Sequence, residues 1–255
     1  MKVELCPVLT LRAVAHDVFV LAFVSPSIAS SVQPGQFLNI KVGEGADALL
    51  RRPFSAYRVE GDRIEIIFNV VGRGTAALCA MKPGDMLDVL GPLGVPFHVS
   101  GADFETGVVL GGGLGVAPLP LLTRALRQAK KKVITFVGGR TASLLLTDYL
   151  ESPRTATDDG SAGFHGTVVQ LARETLGGGG FPRPKIFACG PTPMLKAVAE
   201  FARSSGIPCE VSLEGPMGCG IGICQGCPVE LTGAEKRYAL MCKEGPTFDI
   251  QSIKL

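Results

Sequence analysis

The chain has 255 residues, a formal net charge of +2 at neutral pH, 33 glycines, 18 prolines and no tryptophan. The balanced charge excludes the basic surface that is typical of nucleic-acid-binding proteins. The sequence has neither a signal-peptide pattern nor a run of about 18 apolar residues, so we expect a cytoplasmic protein without a membrane span.

Residues 1–100 are rich in short β-branched segments that turn signals separate. The predicted strands span residues 18–24, 37–42, 55–59, 63–70 and 86–90. Several short strands at this spacing predict a small antiparallel β-barrel. A predicted helix at residues 76–81 follows Gly72-Arg73-Gly74-Thr75, and such a junction presents backbone N–H groups to an anion.

Residues 101–213 alternate between buried strands and helices. The predicted strands span residues 106–110, 132–138, 185–189 and 208–213, and the predicted helices span residues 119–129, 143–150, 166–176 and 194–205. This alternation predicts a doubly wound α/β domain that binds a nucleotide. Residues 214–255 form a small third module, in which residues 228–231 and 237–241 are predicted to pair as a hairpin.

Half of the eight cysteines lie in this third module, as Cys219, Cys224, Cys227 and Cys242. Their order, C-x4-C-x2-C followed by a distant fourth cysteine, is the ligand spacing of a plant-type 2Fe-2S cluster. The glycines between them permit the positive φ angles and close N–H groups that such a loop needs. A structural zinc site is the alternative, but zinc sites usually begin with a C-x2-C pair.

Two motifs in the predicted barrel are suited to bind phosphate. Arg52-Pro53-Phe54-Ser55 places a guanidinium and a hydroxyl on either side of a rigid proline, although Arg-Pro is also common on protein surfaces. Gly74-Thr75 begins the predicted helix about 20 residues later. Together the two motifs predict a dinucleotide lying along the barrel.

A glycine-rich turn follows the first strand of the α/β domain. It contains Gly111, Gly112, Gly113 and Gly115 and ends at Pro118. Glycines between a strand and a helix let the backbone approach a pyrophosphate, although the third glycine of the usual fingerprint is replaced by proline here. A plain tight turn is the alternative interpretation.

Other candidate residues lie at strand ends. Cys189 and Gly190 follow a predicted strand, where ligands bind in open α/β sheets, so Cys189 is a redox-adjacent candidate or else a packing thiol. Asp158 or Asp159 is a candidate partner for ribose hydroxyls, although acidic residues in a Gly-Ser loop are more often only solvated. The sequence has no Ser/His/Asp or paired-carboxylate pattern, so we expect no acid–base catalytic residue and interpret His16, His98 and His165 as structural.

In this order, the barrel, the nucleotide domain and the cysteine module resemble the ferredoxin-NADP reductase superfamily. The motifs that carry the resemblance are Pro34-Gly35-Gln36-Phe37, Arg52-Pro53-Phe54-Ser55, Gly72-x-Gly74-Thr75, Gly111 to Pro118 and Cys189-Gly190-Pro191. The cysteine motif, closed by Cys242-Lys243-Glu244-Gly245-Pro246, is similar in particular to the electron transfer subunits of NAD-linked dihydroorotate dehydrogenases.

This resemblance implies an oxidoreductase subunit that carries FAD, a 2Fe-2S cluster and an NAD site and serves pyrimidine biosynthesis. It further implies a partner, an FMN-containing catalytic subunit, in a heterotetramer of two plus two, with electrons passing from FMN through the cluster and FAD to NAD. By position, the FAD residues are Arg52, Pro53, Phe54, Ser55, Ile67, Phe68, Asn69, Gly74 and Thr75, and the cluster ligands are the four clustered cysteines.

Two rivals stay open at this stage. One is the small diaphorase subunit of an NAD(P)H-ferredoxin oxidoreductase, sulfide dehydrogenase or hydrogenase, although some of those relatives have Asp where this chain has Cys219. The other is a zinc-stabilised regulatory module without redox activity. Arg140 leaves the choice between NAD and NADP undecided, and the exposed side of residues 220–225 is the predicted docking surface for the partner.

Overall fold

The computed structural model describes residues 1–43, 49–233 and 235–255, and it begins with a seven-stranded antiparallel sheet. The strands are β1 (Lys2–Ala15), β2 (Val18–Val24), β3 (Phe37–Ile40), β4 (Arg52–Ser55), β5 (Arg58–Glu60), β6 (Arg63–Asn69) and β7 (Met86–Leu93). They are ordered β4-β3-β7-β1-β2-β6-β5. This sheet, which we call the half-barrel, confirms the predicted antiparallel architecture.

The strands of the half-barrel form where the sequence is β-branched and apolar. Strand β2 reads VFVLAFV, and five of its seven residues are buried. The predicted strand at residues 55–59 is instead divided between β4 and β5, which lie at opposite edges of the sheet, and Ala56 and Tyr57 connect them. Two short helices, α1 (Pro26–Ala29) and α2 (Arg73–Cys79), complete this part of the chain.

The second sheet has a parallel core. Its strands are β8 (Thr106–Gly112), β9 (Lys132–Gly139), β10 (Arg154–Thr157), β11 (Phe164–His165), β12 (Pro184–Cys189) and β13 (Cys209–Ser212). The connecting helices are α3 (Leu119–Gln128), α4 (Val168–Gly177) and α5 (Thr192–Ser205). Every residue of β8 is buried, as expected for a central strand of a parallel sheet.

One predicted helix is wrong. Residues 143–150 form no α-helix; a 3-10 turn at Ala142–Leu144 is followed by an irregular segment. Leu146 is drawn into the core, Asp148 accepts a hydrogen bond from the Tyr57 hydroxyl at 3.2 Å through its backbone oxygen, and Tyr149 has a φ of +63°. These contacts with the half-barrel override the local helix propensity.

The C-terminal segment packs against both sheets. Strands β14 (Pro228–Glu230) and β15 (Tyr238–Leu240) form the predicted hairpin, α6 (Met241–Glu244) follows, and β16 (Thr247–Asp249) pairs antiparallel with β13. The second sheet is therefore ordered β11-β10-β9-β8-β12-β13-β16. One buried core joins Phe37 of the half-barrel, Val211 of β13 and Cys227 of the cysteine module.

Among the described residues, no helix is long and apolar enough to cross a membrane.

Candidate functional site

A cleft of about 570 Å³ opens on the half-barrel, and we call it the first cleft. All nine residues predicted to bind FAD line it: Arg52, Pro53, Phe54, Ser55, Ile67, Phe68, Asn69, Gly74 and Thr75. The ring of Phe54 meets that of Phe68 edge-on, with 5.9 Å between the centroids. The cleft thus combines an apolar wall with cationic and hydroxyl groups, which suits a planar ring system joined to phosphate.

The entry to α2 is shaped by Thr75. Its hydroxyl accepts hydrogen bonds from the N–H groups of Val71 at 2.9 Å and Gly72 at 3.2 Å, so these two donors are used within the turn. A Cβ atom at Gly74 would lie 2.9 Å from Val42 and 3.3 Å from Nε of Arg52. Glycine therefore lets the Arg52 side chain cross this turn along the wall of the first cleft.

A second cleft of about 920 Å³ lies between the β1–β2 turn and the carboxyl ends of the parallel strands. Of the residues predicted to bind NAD, four line it: Gly112, Gly113, Gly115 and Asp158. The other four, Gly111, Pro118, Cys189 and Gly190, lie outside its lining in the described structure. Gly111 is buried in β8, where a Cβ atom would lie 2.5 Å from Leu119.

Gly115 is the tightest position of the glycine-rich turn. A Cβ atom there would lie 2.3 Å from the backbone oxygen of Cys189 and 2.5 Å from Cα of Gly190. The turn after β8 is therefore packed directly on the turn after β12. Cys189 and Gly190 form the floor beneath the glycine-rich turn, although they do not face the second cleft.

Other groups at the second cleft bear on the choice of nucleotide. Both Asp158 and Arg140 line it, so the structure brings together the two residues that favour NAD and NADP respectively. His16 also lines it with a side chain that is 90% exposed, so it is not the structural residue that we expected. His98 does fit a structural interpretation, because its backbone N–H and its ring both contact Glu210.

Glu214 lies where the two clefts meet, and the sequence interpretation missed it. It lines both clefts, as do Asn69 and Leu114. Glu214 is an exposed residue, yet the surrounding protein raises the pKa of its carboxyl group by desolvation, which a hydrogen bond from the Cys189 thiol opposes. Its position just after the last parallel strand was an available signal, because ligands bind at such ends.

The four clustered cysteines occupy different environments. Cys227 and Cys242 are buried with 3.3 Å between their Sγ atoms, Cys219 is half-buried and Cys224 is exposed. In the described part of the chain, no three metal-binding side chains are arranged to hold a metal ion. The structure therefore places three of the predicted ligands on the loop before β14 and the fourth, Cys242, in α6 directly after the hairpin.

Backbone N–H groups of the loop point at the cysteine sulfurs. Ile221 and Cys224 each donate to Sγ of Cys219 at 3.4 Å, and Cys242 donates to Sγ of Cys227 at 3.5 Å. Burial by itself raises the pKa of the Cys219 thiol. The hydrogen bonds from these N–H groups together outweigh burial and lower that pKa to about 6. Burial and the neighbouring Cys227 raise the pKa of Cys242 to about 12. A loop that stabilises thiolate sulfur in this way fits an iron-sulfur cluster.

The glycines of the loop make room for Cys224. Cβ atoms at Gly218 and Gly226 would lie 3.1 Å and 3.4 Å from its Sγ atom. Gly220 and Gly222 have φ angles of +74° and +86°, in the left-handed region that favours glycine. The predicted docking surface, residues 220–225, includes Ile223, which is 77% exposed.

The chain is similar to a known domain family and to curated proteins over nearly its whole length. Residues 214–254 match the model of the iron-sulfur cluster binding domain of dihydroorotate dehydrogenase B. The electron transfer subunit of dihydroorotate dehydrogenase B (NAD(+)) from Geobacillus thermodenitrificans is 37% identical over 96% of both chains. The subunit of the same name from Enterococcus faecalis is 35% identical over 100% of this chain and 99% of its own.

Solved structures share the whole architecture. An NADH-dependent reduced ferredoxin-NADP oxidoreductase superposes with a TM-score of 0.87 and 30% identity, over 98% of this chain and 90% of its own. Phthalate dioxygenase reductase, at 16% identity and a TM-score of 0.63 over 98% of this chain and 77% of its own, shows the likeness of fold alone.

Proposed function

Because this chain belongs to the family of dihydroorotate dehydrogenase B (NAD(+)) electron transfer subunits, we propose that it carries electrons between NAD and a catalytic subunit that oxidises dihydroorotate. One observation carries the proposal. The first cleft contains all nine residues expected at a flavin and extends to Glu214, Gly215 and Met217, just before the cysteine loop. A flavin site, a nucleotide site and a cluster loop are thus contiguous in one chain.

In the first cleft, residues of the half-barrel would bind and orient the flavin. Arg52 donates Nη1 to the backbone oxygen of Leu50 at 2.7 Å, which fixes the guanidinium at the cleft wall, where it is suited to bind phosphate. The Phe54 and Phe68 rings exclude water from the apolar part of the cleft. We assign Ser55 and Asn69 to polar contacts with the ring edge and Gly74 and Thr75 to the phosphate end.

In the second cleft, most of the proposed contacts with the nucleotide come from the backbone. Gly112, Gly113 and Gly115 let a pyrophosphate approach the turn after β8, and Asp158 is suited to accept hydrogen bonds from ribose hydroxyls. We propose that Cys189 acts beneath this turn as a buried thiol that supports Glu214. Pro118, at the start of α3, and Gly111, inside β8, are assigned to shaping the turn.

The cysteine loop is proposed to hold the cluster through Cys219, Cys224, Cys227 and Cys242. When bound, the cluster carries single electrons and the flavin converts between single electrons and the hydride of NAD. The loop N–H groups stabilise the sulfur charge of Cys219 and Cys227. We keep residues 1–100, 101–213 and 214–255 as the proposed division into flavin, nucleotide and cluster domains.

The family name implies a catalytic partner subunit. We propose that this partner contains FMN and forms a heterotetramer of two plus two with this chain. We further propose that it docks on residues 220–225, where Cys224 and Ile223 are exposed.

A second candidate is a diaphorase subunit that serves a ferredoxin-linked enzyme. It is favoured by the likeness to the NADH-dependent ferredoxin-NADP oxidoreductase structure at 30% identity. The curated relatives reach 37% identity over nearly the whole chain and favour the dihydroorotate function. The protein that co-purifies with this chain separates the two candidates.

The docking proposal is tested in the complex with the catalytic subunit. Gln225 is exposed, and its Nε2 donates to the backbone oxygen of Gly222 at 2.7 Å. We expect Gln225→Arg to slow dihydroorotate-driven NAD reduction about tenfold, because a bulky charge within an interface weakens contact. NADH oxidation by an artificial acceptor should be unchanged.

The matched control is Gln128→Arg, the same change at an exposed glutamine near the end of α3. It should leave both activities at the wild-type level. Equal losses of both activities in Gln225→Arg would contradict the docking surface. A wild-type complex that does not reduce NAD with dihydroorotate would contradict the proposed function itself.

A further inference from the structure

Asn39 joins the half-barrel to the cysteine loop. It lies on β3 and pairs with Pro53 of β4 on one side and with Leu90 of β7 on the other. Its side-chain Nδ2 donates to the backbone oxygen of Cys219 at 3.1 Å, between residues 180 positions apart in sequence. A strand neighbour of the first cleft is therefore bonded to a predicted cluster ligand.

The burial of this amide needs a reason. Asn39 is 1% exposed, between Leu38 and Ile40, which are fully buried. Its Oδ1 is buried with no hydrogen-bond partner in the described part of the chain, which costs free energy that an apolar side chain would avoid. The bond to Cys219 is the one side-chain hydrogen bond that Asn39 makes among the described residues.

The surroundings fix the amide in place. Nη1 of Arg51 donates to the backbone oxygen of Asn39 at 3.3 Å, while Nη2 of the same guanidinium binds both carboxylate oxygens of Asp88 at 2.8 Å and 2.9 Å. From the other side, a Cβ atom at Gly220 would lie 2.4 Å from Nδ2 of Asn39. The loop therefore approaches Asn39 as closely as a glycine allows.

We propose that Asn39 is a positioning residue that holds the Cys219 end of the cysteine loop against the flavin-binding strands. This inference rests on the proposed function. It adds to that function the contact between Asn39 and Cys219, which sets the separation between the first cleft and the cysteine loop. The rate of electron transfer falls steeply with distance. A cluster held by a loop released from Asn39 would therefore exchange electrons with the flavin more slowly.

The test uses the full chain and compares Asn39→Leu with Thr247→Val. Leucine fills the Asn39 site without a donor. Thr247 makes a matched contact between the C-terminal segment and the half-barrel, because its hydroxyl donates to the backbone oxygens of Val95 at 2.8 Å and Pro96 at 3.0 Å, away from the cysteine loop. Asn39→Ser, too short to reach Cys219, is measured beside them so that one misfolded variant does not decide the outcome.

The first readout is hydrogen–deuterium exchange in the peptide that contains Cys219 and Gly220, which needs no bound cofactor. Loss of one hydrogen bond should raise local opening, and hence exchange, about tenfold in both Asn39 variants and leave Thr247→Val at the wild-type rate. Wild-type exchange in the Asn39 variants, or an equal rise in Thr247→Val, would overturn the proposal.

The second readout is spectroscopic. The electron paramagnetic resonance signal of the reduced cluster should shift or broaden in Asn39→Leu, and NADH should reduce the cluster more slowly than it reduces the flavin. An unchanged signal together with an unchanged ratio of rates would contradict positioning. A wild-type chain without flavin or iron would contradict the proposed function instead, and the exchange comparison would still decide whether Asn39 holds the loop.

Discussion

At the scale of single residues, Glu214 concentrates the chemistry of the two clefts. The residue lines both of them, and its carboxyl group accepts a hydrogen bond from the Cys189 thiol, with 3.9 Å between Sγ and Oε1. Desolvation raises the pKa of Glu214. A raised carboxyl pKa means that the fold favours the neutral acid. The contribution of Glu214 to the free energy of unfolding is therefore present at low pH and is lost as pH rises through that pKa.

This sign gives a kinetic prediction. As pH rises through the raised pKa of Glu214, a carboxylate forms beside the first cleft and disfavours negative charge arriving there. We expect NADH-driven reduction of the flavin to slow several-fold across this range in the wild type. Glu214→Gln keeps the shape and removes the charge, so its rate should not change with pH in this range.

Stopped-flow absorbance from about pH 5 to pH 9 measures both proteins. In thermal denaturation, the wild type should lose stability relative to Glu214→Gln as pH rises, by a small amount because Glu214 is an exposed residue. Parallel rate profiles for the two proteins would contradict the role of Glu214.

At the scale of elements, the nucleotide site depends on the contact between two turns. The turn after β8 packs on the turn after β12 so closely that Gly115 has no space for a side chain. The sequence predicted the glycine-rich turn, the strand before it and the helix after it. It did not predict this contact, because only the sheet order places β8 beside β12.

We expect Gly115→Ala to cost about 2 kcal/mol of unfolding free energy, because its methyl group meets backbone atoms that cannot move aside. NAD binding, measured by titration of the flavin or protein fluorescence, should weaken at least tenfold. The matched control is Gly177→Ala at the end of α4, where a Cβ atom meets nothing within 4 Å. That variant should be as stable as the wild type or up to about 1 kcal/mol more stable, and wild-type NAD affinity in Gly115→Ala would contradict the account.

The strands and helices show where sequence patterns suffice. Strand β2 and strand β8 are continuous apolar segments, and both were predicted within a residue or two. Burial alternates along the first half of β1, but the sequence does not show it, because the exposed Val3 and Leu5 are as apolar as the buried Cys6 and Val8. Residues 143–150 read as a helix, but contacts with Tyr57 and the core determine their structure.

At the scale of the whole molecule, the two clefts and the cysteine loop are contiguous. The first cleft meets the second at Asn69, Leu114 and Glu214, and Asn39 links the half-barrel to Cys219. The clustered cysteines and Arg52 to Ser55 could be proposed from the sequence, because residue types suited to one chemistry occur there at short spacings. Glu214 offered only the signal of its place after the last parallel strand, and Asn39 offered none, since their importance depends on which distant segments the fold brings together.

We propose above all that one chain holds a flavin and a 2Fe-2S cluster that NADH can reduce. The direct measurement is the absorption spectrum of the purified protein with flavin, iron and acid-labile sulfide contents, followed by addition of NADH under anaerobic conditions. We expect flavin and cluster absorbance that both bleach with NADH, and Cys224→Ser should lose the iron features while the flavin stays bound. A colourless wild-type protein that contains zinc and no labile sulfide would contradict the account.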